Sequence, residues 1–219
     1  MAPTCVTPAL APSLMWRHIS DMRSKHLLPA LCLGLLTACG PSETGPVDAS
    51  CSTRAYASIG GPISLINQDG ERVSEADFKG KASLIYFGFT YCPDICPTSL
   101  VTINRAIRRL PENIEAPRTI LITVDPERDT PEQLKSYISS NAFPEDIVGL
   151  TGSEDEIRSA ADNFFTDYSR IELPESEAGY TMDHQSIIYL MDEDWTLKTF
   201  FTHETDDASM ANCLAKQLT

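Results

Sequence analysis

The chain has 219 residues, of which 42% are hydrophobic, and this is enough for one domain with an apolar core. Its formal net charge of −14 at pH 7 disfavours nucleic acid and anionic lipid headgroups as partners, because charges of the same sign repel. No long block of charge, low-complexity tract or internal repeat is present in the sequence.

The N-terminal segment has the pattern of an export signal. Arg23 and Lys25 precede an apolar run over residues 27–39. The run has about a dozen residues, which is too short for a helix that crosses a hydrocarbon core of ~30 Å. It therefore predicts a cleavable signal peptide, with a buried core helix as the alternative.

The end of this run resembles the lipobox of bacterial lipoproteins, with small residues before Cys39. The resemblance implies cleavage before Cys39 and lipidation of its thiol. We therefore expect residues 1–38 to be upstream sequence and signal peptide, with translation starting at Met22 or, as the second choice, at Met15. Their removal takes away three basic residues and one acidic residue, so the mature chain is more negative by two charges. The lipid, and not a basic patch, must then hold the protein at the membrane.

Two regions follow the signal. Residues 39–58, from the lipidated cysteine onward, are small, polar and turn-forming, which predicts a flexible tether. Residues 59–219 remain for a single folded domain.

Apolar runs and turn residues predict the elements of this domain in chain order. Strands are expected over residues 63–67, 83–89, 118–124, 147–150, 186–191 and 196–202, and helices over residues 97–110, from Thr130, from Ser153 and over 207–218. The helices at Thr130 and Ser153 begin with capping-box patterns. The order predicts an α/β domain with a mixed central sheet flanked by helices and a C-terminal β-hairpin and helix. It fits the thioredoxin-like fold, although other small α/β sandwiches have similar spacing.

Placing the seven cysteines leaves an even number downstream of the lipidation site. Those in removed or lipidated positions are Cys5, Cys32 and Cys39, and those that remain are Cys51, Cys92, Cys96 and Cys213. An even set in an exported chain is compatible with disulfides, because that compartment is oxidising. A Cys51–Cys213 disulfide is one hypothesis. The preferred interpretation is that Cys213 is an ordinary buried residue on the apolar face of the last helix.

Residues 90–97, TYCPDICP, place two thiols where a buried strand passes into a helix. Pro97 suits the first helical position, which makes Cys96 the expected N-cap. A thiolate there accepts amide N–H groups and is stabilised by the helix dipole, so we expect Cys96 to have a lowered pKa. A structural disulfide and a pair of thiols that only pack are the alternatives.

The spacing of the thiols favours binding of a metal ion by both sulfurs over thiol-disulfide exchange alone. Three residues separate Cys92 from Cys96, whereas thioredoxin-like redox proteins usually have two. The sulfurs are then about one helical turn apart, so both can bind one ion, although a disulfide remains possible. Thioredoxins also keep a cis-proline facing their cysteines, and the matching residues 180–185 contain His184 and no proline.

Three motifs resemble the Sco/SenC family: residues 86–97 (YFGFTYCPDICP), residues 124–131 (VDPERDTP) and the pair Asp183-His184. The resemblance covers about residues 59–201, nearly the whole domain. It implies a thioredoxin-like fold that binds one copper ion, Cu(I) or Cu(II), through Cys92, Cys96 and His184. It also implies a role in assembly of the CuA centre of cytochrome c oxidase.

The donor chemistry agrees with this resemblance, because thiolates are soft ligands that favour copper and imidazole suits both of its oxidation states. Zinc is the competing metal, but a structural zinc site has four protein ligands. Met182 could be a further weak ligand, although simple packing is the preferred interpretation. Gln185 and Trp195 stand where the family usually has serine and glycine. Neither is an implied ligand, so these departures concern the family subtype.

Three aspartates lie in the motifs, and a further histidine lies downstream of them. Asp94, Asp125 and Asp129 could orient the ligands. For Asp125 and Asp129 the preferred interpretation is that they cap turns and the following helix. His203 follows a strand and is expected to be exposed.

These features predict a lipid-anchored copper metallochaperone on the extracytoplasmic (periplasmic) face of the bacterial cell membrane. The expected partner is the CuA-bearing subunit of cytochrome c oxidase, with another periplasmic copper chaperone or a thiol reductase as a further candidate. The alternative is a thiol-disulfide oxidoreductase that reduces the CuA-site cysteines, and peroxidase activity is suggested by the fold alone. His184 separates the first two, because copper binding requires it and disulfide exchange does not.

Overall fold

The computed structural model describes Cys51 and residues 58–219. The expected signal peptide, the start at Met22, the lipidation site Cys39 and the tether apart from residues 51 and 58 lie outside the described residues. In the described part, no helix is both long enough and apolar enough to cross a membrane.

Strands and α-helices alternate along the chain between residues 83 and 163. The strands are β1 (Ser64–Asn67), β2 (Arg72–Ser74), β3 (Ser83–Gly88), β4 (Arg118–Thr123), β5 (Ile147–Thr151), β6 (Tyr168–Leu173), β7 (Gly179–His184), β8 (Ile187–Met191) and β9 (Leu197–Thr202). The helices are α1 (Ile95–Ile107), α2 (Pro131–Ile138), α3 (Glu154–Asn163) and α4 (Asp207–Gln217), and a 3-10 helix spans Glu75–Phe78.

Seven of these strands form one mixed sheet in the order β2-β1-β5-β4-β3-β8-β9. β3 pairs in parallel with β4, and β4 with β5, and α1 connects β3 to β4. β8 pairs antiparallel with β3 and with β9, and α4 follows. A parallel βαβ unit that shares a sheet with an antiparallel ββα unit is the thioredoxin-like architecture, so the predicted fold class is confirmed.

β3 lies at the centre of the core, because every residue from Ser83 to Gly88 is buried. This agrees with the prediction from a run that is apolar on both faces. In the neighbouring strand β4 all residues except the first are buried. Gly88 and Thr123 are register partners at the ends of the two strands. The loops that follow them therefore start side by side at one edge of the sheet.

The start of α3 agrees with the sequence, whereas α2 has the predicted N-cap Thr130 and first residue Pro131 but only half of the predicted capping box, because the Thr130 N–H donates to Arg128 O. Ser153 Oγ accepts the Glu156 N–H at 3.3 Å, and Glu156 Oε2 accepts the Ser153 N–H at 2.8 Å, which completes the capping box. Thr130 Oγ1 accepts the Gln133 N–H at 3.3 Å. Each bond satisfies an amide that has no acceptor within the helix.

The start of α1 differs from the prediction. The helix begins at Ile95 with Asp94 as its N-cap, so Cys96 is the second helical residue and not the N-cap. Pro97 is tolerated because the first amides of a helix have no intrahelical acceptor, and its missing N–H removes no hydrogen bond. Pro97 therefore marks the first turn of α1 but not its first position.

Two parts of the fold are missing from the sequence prediction, namely β2 with its 3-10 helix and the separate two-stranded sheet of β6 and β7. β6 buries only Tyr168 and exposes its other residues, so it lacks the apolar alternation that identifies a strand. This β6–β7 hairpin matters for function because its last residue is His184.

Cys51 and Cys213 are joined in the structure. Their sulfur atoms lie 2.08 Å apart and their Cα atoms 5.2 Å apart. Cys213 is fully buried in α4, as the preferred interpretation of the sequence required, but the structure favours the disulfide over an unpaired thiol. The free cysteines of the described part are Cys92 and Cys96. Thiol chemistry in this part of the chain therefore falls to these two residues.

The end of α3 holds a bulky residue in a left-handed conformation. The Phe165 N–H donates to Asp162 O at 3.1 Å and the Thr166 N–H donates to Ala161 O at 2.9 Å, which is the Schellman pattern. Phe165 has φ 51° at the position where glycine is usual. Its side chain is 63% exposed, so packing contributes little to hold it there.

We expect Phe165→Gly to stabilise the protein by up to about 1 kcal/mol, because glycine adopts positive φ without a Cβ clash. This corresponds to a rise in Tm of about 2–4 °C for a chain of this size. Phe165→Ala is the matched control, since it removes the ring but keeps the strain. Thermal unfolding followed by circular dichroism compares the three proteins. A glycine variant that melts below the alanine variant would contradict the account.

Candidate metal centre

Cys92 lies in the loop that follows β3. Its N–H donates to Phe89 O at 3.3 Å, which turns the chain at the end of the buried strand. Cys92 is half-buried, whereas Cys96, in the first turn of α1, is fully buried. The end of one strand and the start of one helix thus place both thiols.

A hydrogen bond from the backbone brings the two cysteines together. The Cys96 N–H donates to Cys92 Sγ at 3.3 Å. This amide lies in the first turn of α1, where amides lack an intrahelical acceptor and the helix dipole favours negative charge. Cys92 therefore takes the capping role that the sequence analysis assigned to Cys96.

The pKa values of the two thiols shift in opposite directions. The side-chain hydrogen bond from Cys96 lowers the pKa of Cys92 to about 4 against the effect of burial, and His184 and two backbone N–H groups add to the lowering. The same contact with Cys92, together with burial, raises the pKa of Cys96. The expectation of a lowered pKa at Cys96 is therefore wrong, because its sulfur is desolvated and lies beside another thiolate. The contacts thus favour the thiolate on Cys92 and the protonated thiol on Cys96.

His184, at the end of β7, reaches the same place. Its Nε2 lies 3.7 Å from Cys96 Sγ, and its Nδ1 lies 3.2 Å from Gln185 O. A carbonyl oxygen only accepts, so this bond requires a proton on Nδ1, and Nε2 is the ring nitrogen that faces the sulfur. Aromatic edges hold the ring, since the centroids of Phe89 and Tyr86 lie 5.9 Å and 6.3 Å from its own. An imidazole ring fixed in this way presents Nε2 to the sulfurs and so can bind a metal through that atom.

The structure thus brings together the three residues that the sequence singled out. Within the described residues, however, no three His, Cys, Asp or Glu side chains are already spaced as a complete metal site. The Cys92 sulfur holds the Cys96 amide, and the Cys96 sulfur lies against the His184 ring. The three donors converge and contact one another.

The backbone of β3 limits the space beside Cys96. A methyl group on Gly88 would lie 3.1 Å from Cys96 Sγ and 3.0 Å from Tyr86 Cε1. A glycine inside a buried strand is the signal that could have identified this close approach from sequence. The Tyr86 hydroxyl is buried near Cys96, without a partner at full hydrogen-bond geometry, and burial raises its pKa.

Asp129 holds the cysteine loop, which is the segment of residues 89–94 between β3 and α1 that carries Cys92. Its carboxylate accepts the Thr90 N–H at 2.9 Å, the Thr90 hydroxyl at 2.6 Å and the Thr123 hydroxyl at 2.6 Å. The helix cap of α2 is Thr130 and not Asp129. For Asp129 the preferred capping interpretation is therefore wrong, and the side chain orients the loop that leads to Cys92.

The other two carboxylates also have partners. Asp125 is almost fully buried and accepts hydrogen bonds from Arg128 Nε at 2.5 Å and Tyr180 Oη at 2.8 Å, so it too does not cap α2. Asp94 is the N-cap of α1, and its carboxylate accepts from Thr98 Oγ1 at 3.4 Å.

Two residues considered as further donors do not gain support. Met182 packs against the hydrophobic core, as the preferred interpretation had it. His203 is exposed just after β9, as expected. The donor set therefore stays at two sulfurs and one imidazole.

Comparison with known proteins identifies relatives over this domain. A family model described as SCO1/SenC matches residues 52–219. The protein SCO1 homolog 1, mitochondrial, of Arabidopsis thaliana is 39% identical over 163 residues, which are 74% of this chain and 48% of that protein. The chain spans about half to two thirds of the length of the first curated relatives that it matches.

Solved structures give the same result. The crystal structure of Arabidopsis thaliana ScoI with copper bound is 39% identical, covers 73% of this chain and 97% of that chain, and superposes with a TM-score of 0.68. BsSco, described as a member of the Sco family of cytochrome c oxidase assembly proteins with a disulfide switch, is 28% identical with a TM-score of 0.57. The match covers 75% of this chain and 96% of the BsSco chain.

The lowered pKa of Cys92 predicts unusual reactivity. Because the thiolate persists down to about pH 4, its alkylation by iodoacetamide should change by less than about twofold between pH 6 and pH 8. An ordinary thiol loses about tenfold in rate for each pH unit below its pKa. Mass spectrometry of the modified peptide gives the rate, and fragment ions assign the label to Cys92 or to Cys96. A rate for Cys92 that rises tenfold per unit across this range would contradict the assignment of the thiolate.

Proposed function

The chain belongs to the SCO1/SenC family, and from this premise we propose that it binds one copper ion through Cys92, Cys96 and His184 and assists assembly of the CuA centre of cytochrome c oxidase. The observation that carries the proposal is the His184 ring, whose Nε2 lies 3.7 Å from Cys96 Sγ while Nδ1 is tied to a carbonyl. Disulfide exchange does not need an imidazole fixed in this orientation.

The donor set suits copper as a cargo. Two sulfurs and one imidazole are a soft set that favours copper over harder ions. An ion bound at about 2.0–2.3 Å from each donor atom, as is usual for nitrogen and sulfur ligands, would span the distance between Cys96 and His184. Three ligands also leave a position for a donor from the receiving protein, which a four-ligand structural zinc site lacks. Half-buried Cys92 gives a partner access to this site.

A second function, thiol-disulfide exchange, is favoured by one observation. Cys92 has the lowered pKa of an attacking thiol, with Cys96 beside it to resolve a mixed disulfide. Such a protein would reduce the CuA-site cysteines before they receive copper. The two activities are compatible, because copper transfer to cysteines requires them reduced.

We place the protein on the periplasmic face of the bacterial cell membrane, held by a lipid on Cys39. The support is the lipobox sequence at residues 36–40 and the basic stretch before it. An acidic chain of this kind has no basic patch to bind anionic lipid, so the acyl chains would supply the attachment. Pairing of Cys51 with Cys213 belongs with this location, because disulfides form in oxidising compartments.

Replacing His184 separates the two functions. In the full chain purified in detergent, His184→Ala should weaken Cu(II) binding by more than tenfold, since even loss of a residue that only orients a ligand costs 10- to 100-fold. The sulfur-to-copper charge-transfer absorption should change as well. Reduction of a disulfide substrate, which leaves Cys92 and Cys96 joined as a disulfide, should stay near the wild-type rate, because the Cys92 thiolate depends mainly on Cys96 and the helix start. Oxidase activity in cells should fall, with partial recovery on added copper.

The exposed residue His203 gives the matched control, and His203→Ala should leave both activities unchanged. Cys92→Ser and Cys96→Ser should abolish both and so cannot discriminate. If His184→Ala bound copper like the wild type and supported normal oxidase assembly, the assignment of the third ligand would be wrong.

The membrane attachment has its own test. Mass spectrometry of the membrane fraction should find a mature chain that begins at diacylated Cys39, because the lipobox directs cleavage before that residue. Non-reducing peptide mapping of the same sample should recover Cys51 linked to Cys213. A retained 27–38 segment, or an unmodified N-terminus elsewhere, would contradict the anchor, and two free thiols would contradict the disulfide.

A further inference from the structure

We propose that residues 125–129, with Arg128 at their centre, act as a clamp that positions His184 over the cysteines. The inference rests on the proposed copper function and adds positioning residues to it. This 125–129 clamp follows β4 and touches both the cysteine loop and the β6–β7 hairpin.

The hairpin needs such support because of its topology. β6 and β7 pair with each other and form a sheet separate from the seven-stranded one. The main sheet, by contrast, holds β3, and with it the start of the cysteine loop, through strands on both sides. A link of two residues joins His184 to β8 of the main sheet, and the orientation of the rest of the hairpin depends on side-chain contacts that join it to the domain.

Arg128 makes such contacts with β7. Its Nη1 donates to Tyr180 O at 3.2 Å, and its guanidinium carbon lies 3.7 Å from the centre of the Tyr180 ring. Asp125 completes a triangle, since it accepts from Arg128 Nε at 2.5 Å and from the Tyr180 hydroxyl at 2.8 Å. Tyr180 and His184 are four residues apart on one strand, so their side chains lie on the same face of the hairpin.

A second arginine stabilises the same ring from the other strand. The guanidinium carbon of Arg170 in β6 lies 3.6 Å from the centre of the Tyr180 ring, and its Nη1 donates to Glu127 Oε2 at 2.7 Å. Glu127 belongs to the clamp. Tyr180 is thus held between two cations that both bind acidic residues of the 125–129 segment.

The clamp also contacts the cysteine loop. The guanidinium carbon of Arg128 lies 4.6 Å from the centre of the Tyr91 ring, next to Cys92. Asp129 accepts both the amide and the hydroxyl of Thr90. The 125–129 clamp therefore contacts both the loop that carries Cys92 and the strand that carries His184.

The burial of the ion pair makes the geometry specific. The Asp125 side chain is 2% exposed and that of Arg128 is 14% exposed. A buried pair of this kind is demanding, because removal of one partner leaves the other charge without compensation. Arginine supplies Nε, Nη1 and a flat face at once, which a lysine ammonium does not.

A double-mutant cycle on the full chain in detergent tests the clamp, with Cu(II) alone as the probe. Tyr180→Phe removes the hydroxyl bond to Asp125 and keeps the ring. If the clamp places His184, Tyr180→Phe should weaken Cu(II) binding by about tenfold and shift the sulfur-to-copper absorption. In the His184→Ala background the same substitution should have no further effect, because there is no imidazole to misplace. Arg128→Lys should behave in the same way.

Tyr189→Phe is the matched control, since it removes a buried hydroxyl bond to Thr166 at 3.0 Å that is not part of the clamp. It should lower Tm without changing Cu(II) affinity, whereas reduction of a disulfide substrate should be unchanged in Tyr180→Phe, whose lost bond lies on the hairpin side of the clamp. Equal weakening of Cu(II) binding by Tyr180→Phe with and without His184, or no weakening at all, would overturn the clamp and leave the ligand set intact. A His184→Ala protein with wild-type affinity would overturn both.

Discussion

The hydrogen bond from the Cys96 amide to the Cys92 sulfur is the interaction on which the site depends. A helix start leaves amides without acceptors, and here a sulfur atom takes the place of the usual oxygen cap. The bond draws Cys92 toward the helix axis, beside Cys96, so the two thiols become one coupled unit. Negative charge then rests on the half-exposed sulfur, while the buried sulfur keeps its proton.

The fold places the thiols and the imidazole on different elements, the thiols beside the main sheet and the imidazole on the β6–β7 hairpin. The buried strands β3 and β4 end side by side, so the loops that carry Cys92 and Asp129 leave the sheet next to each other. His184 comes from a hairpin outside that sheet, and the short link to β8 and the side-chain contacts of Arg128 and Tyr180 hold this hairpin. A site assembled in this way has two donors on the rigid scaffold and one on an attached element. Such a division suits a protein that must both bind an ion and release it to a partner.

Most of the fold could be predicted from sequence because buried strands and capped helices have local signals. The six predicted strands and four predicted helices occur, and Ser153 caps its helix as its spacing indicated. The hairpin could not be predicted, since exposed strands such as β6 lack apolar alternation. The identity of the three converging residues followed from motifs, but their electrostatics did not. Pro97 suggested a helix start two residues late, so the sequence analysis assigned to Cys96 the capping bond that Cys92 accepts in the structure.

The central claim is that two sulfurs and one imidazole bind a single copper ion. X-ray absorption at the copper edge of the loaded full chain measures this first shell directly. The account predicts two sulfur atoms and one imidazole nitrogen for each copper, with the imidazole contribution lost in His184→Ala. A shell of oxygen and nitrogen alone, or a single sulfur for each copper, would contradict it.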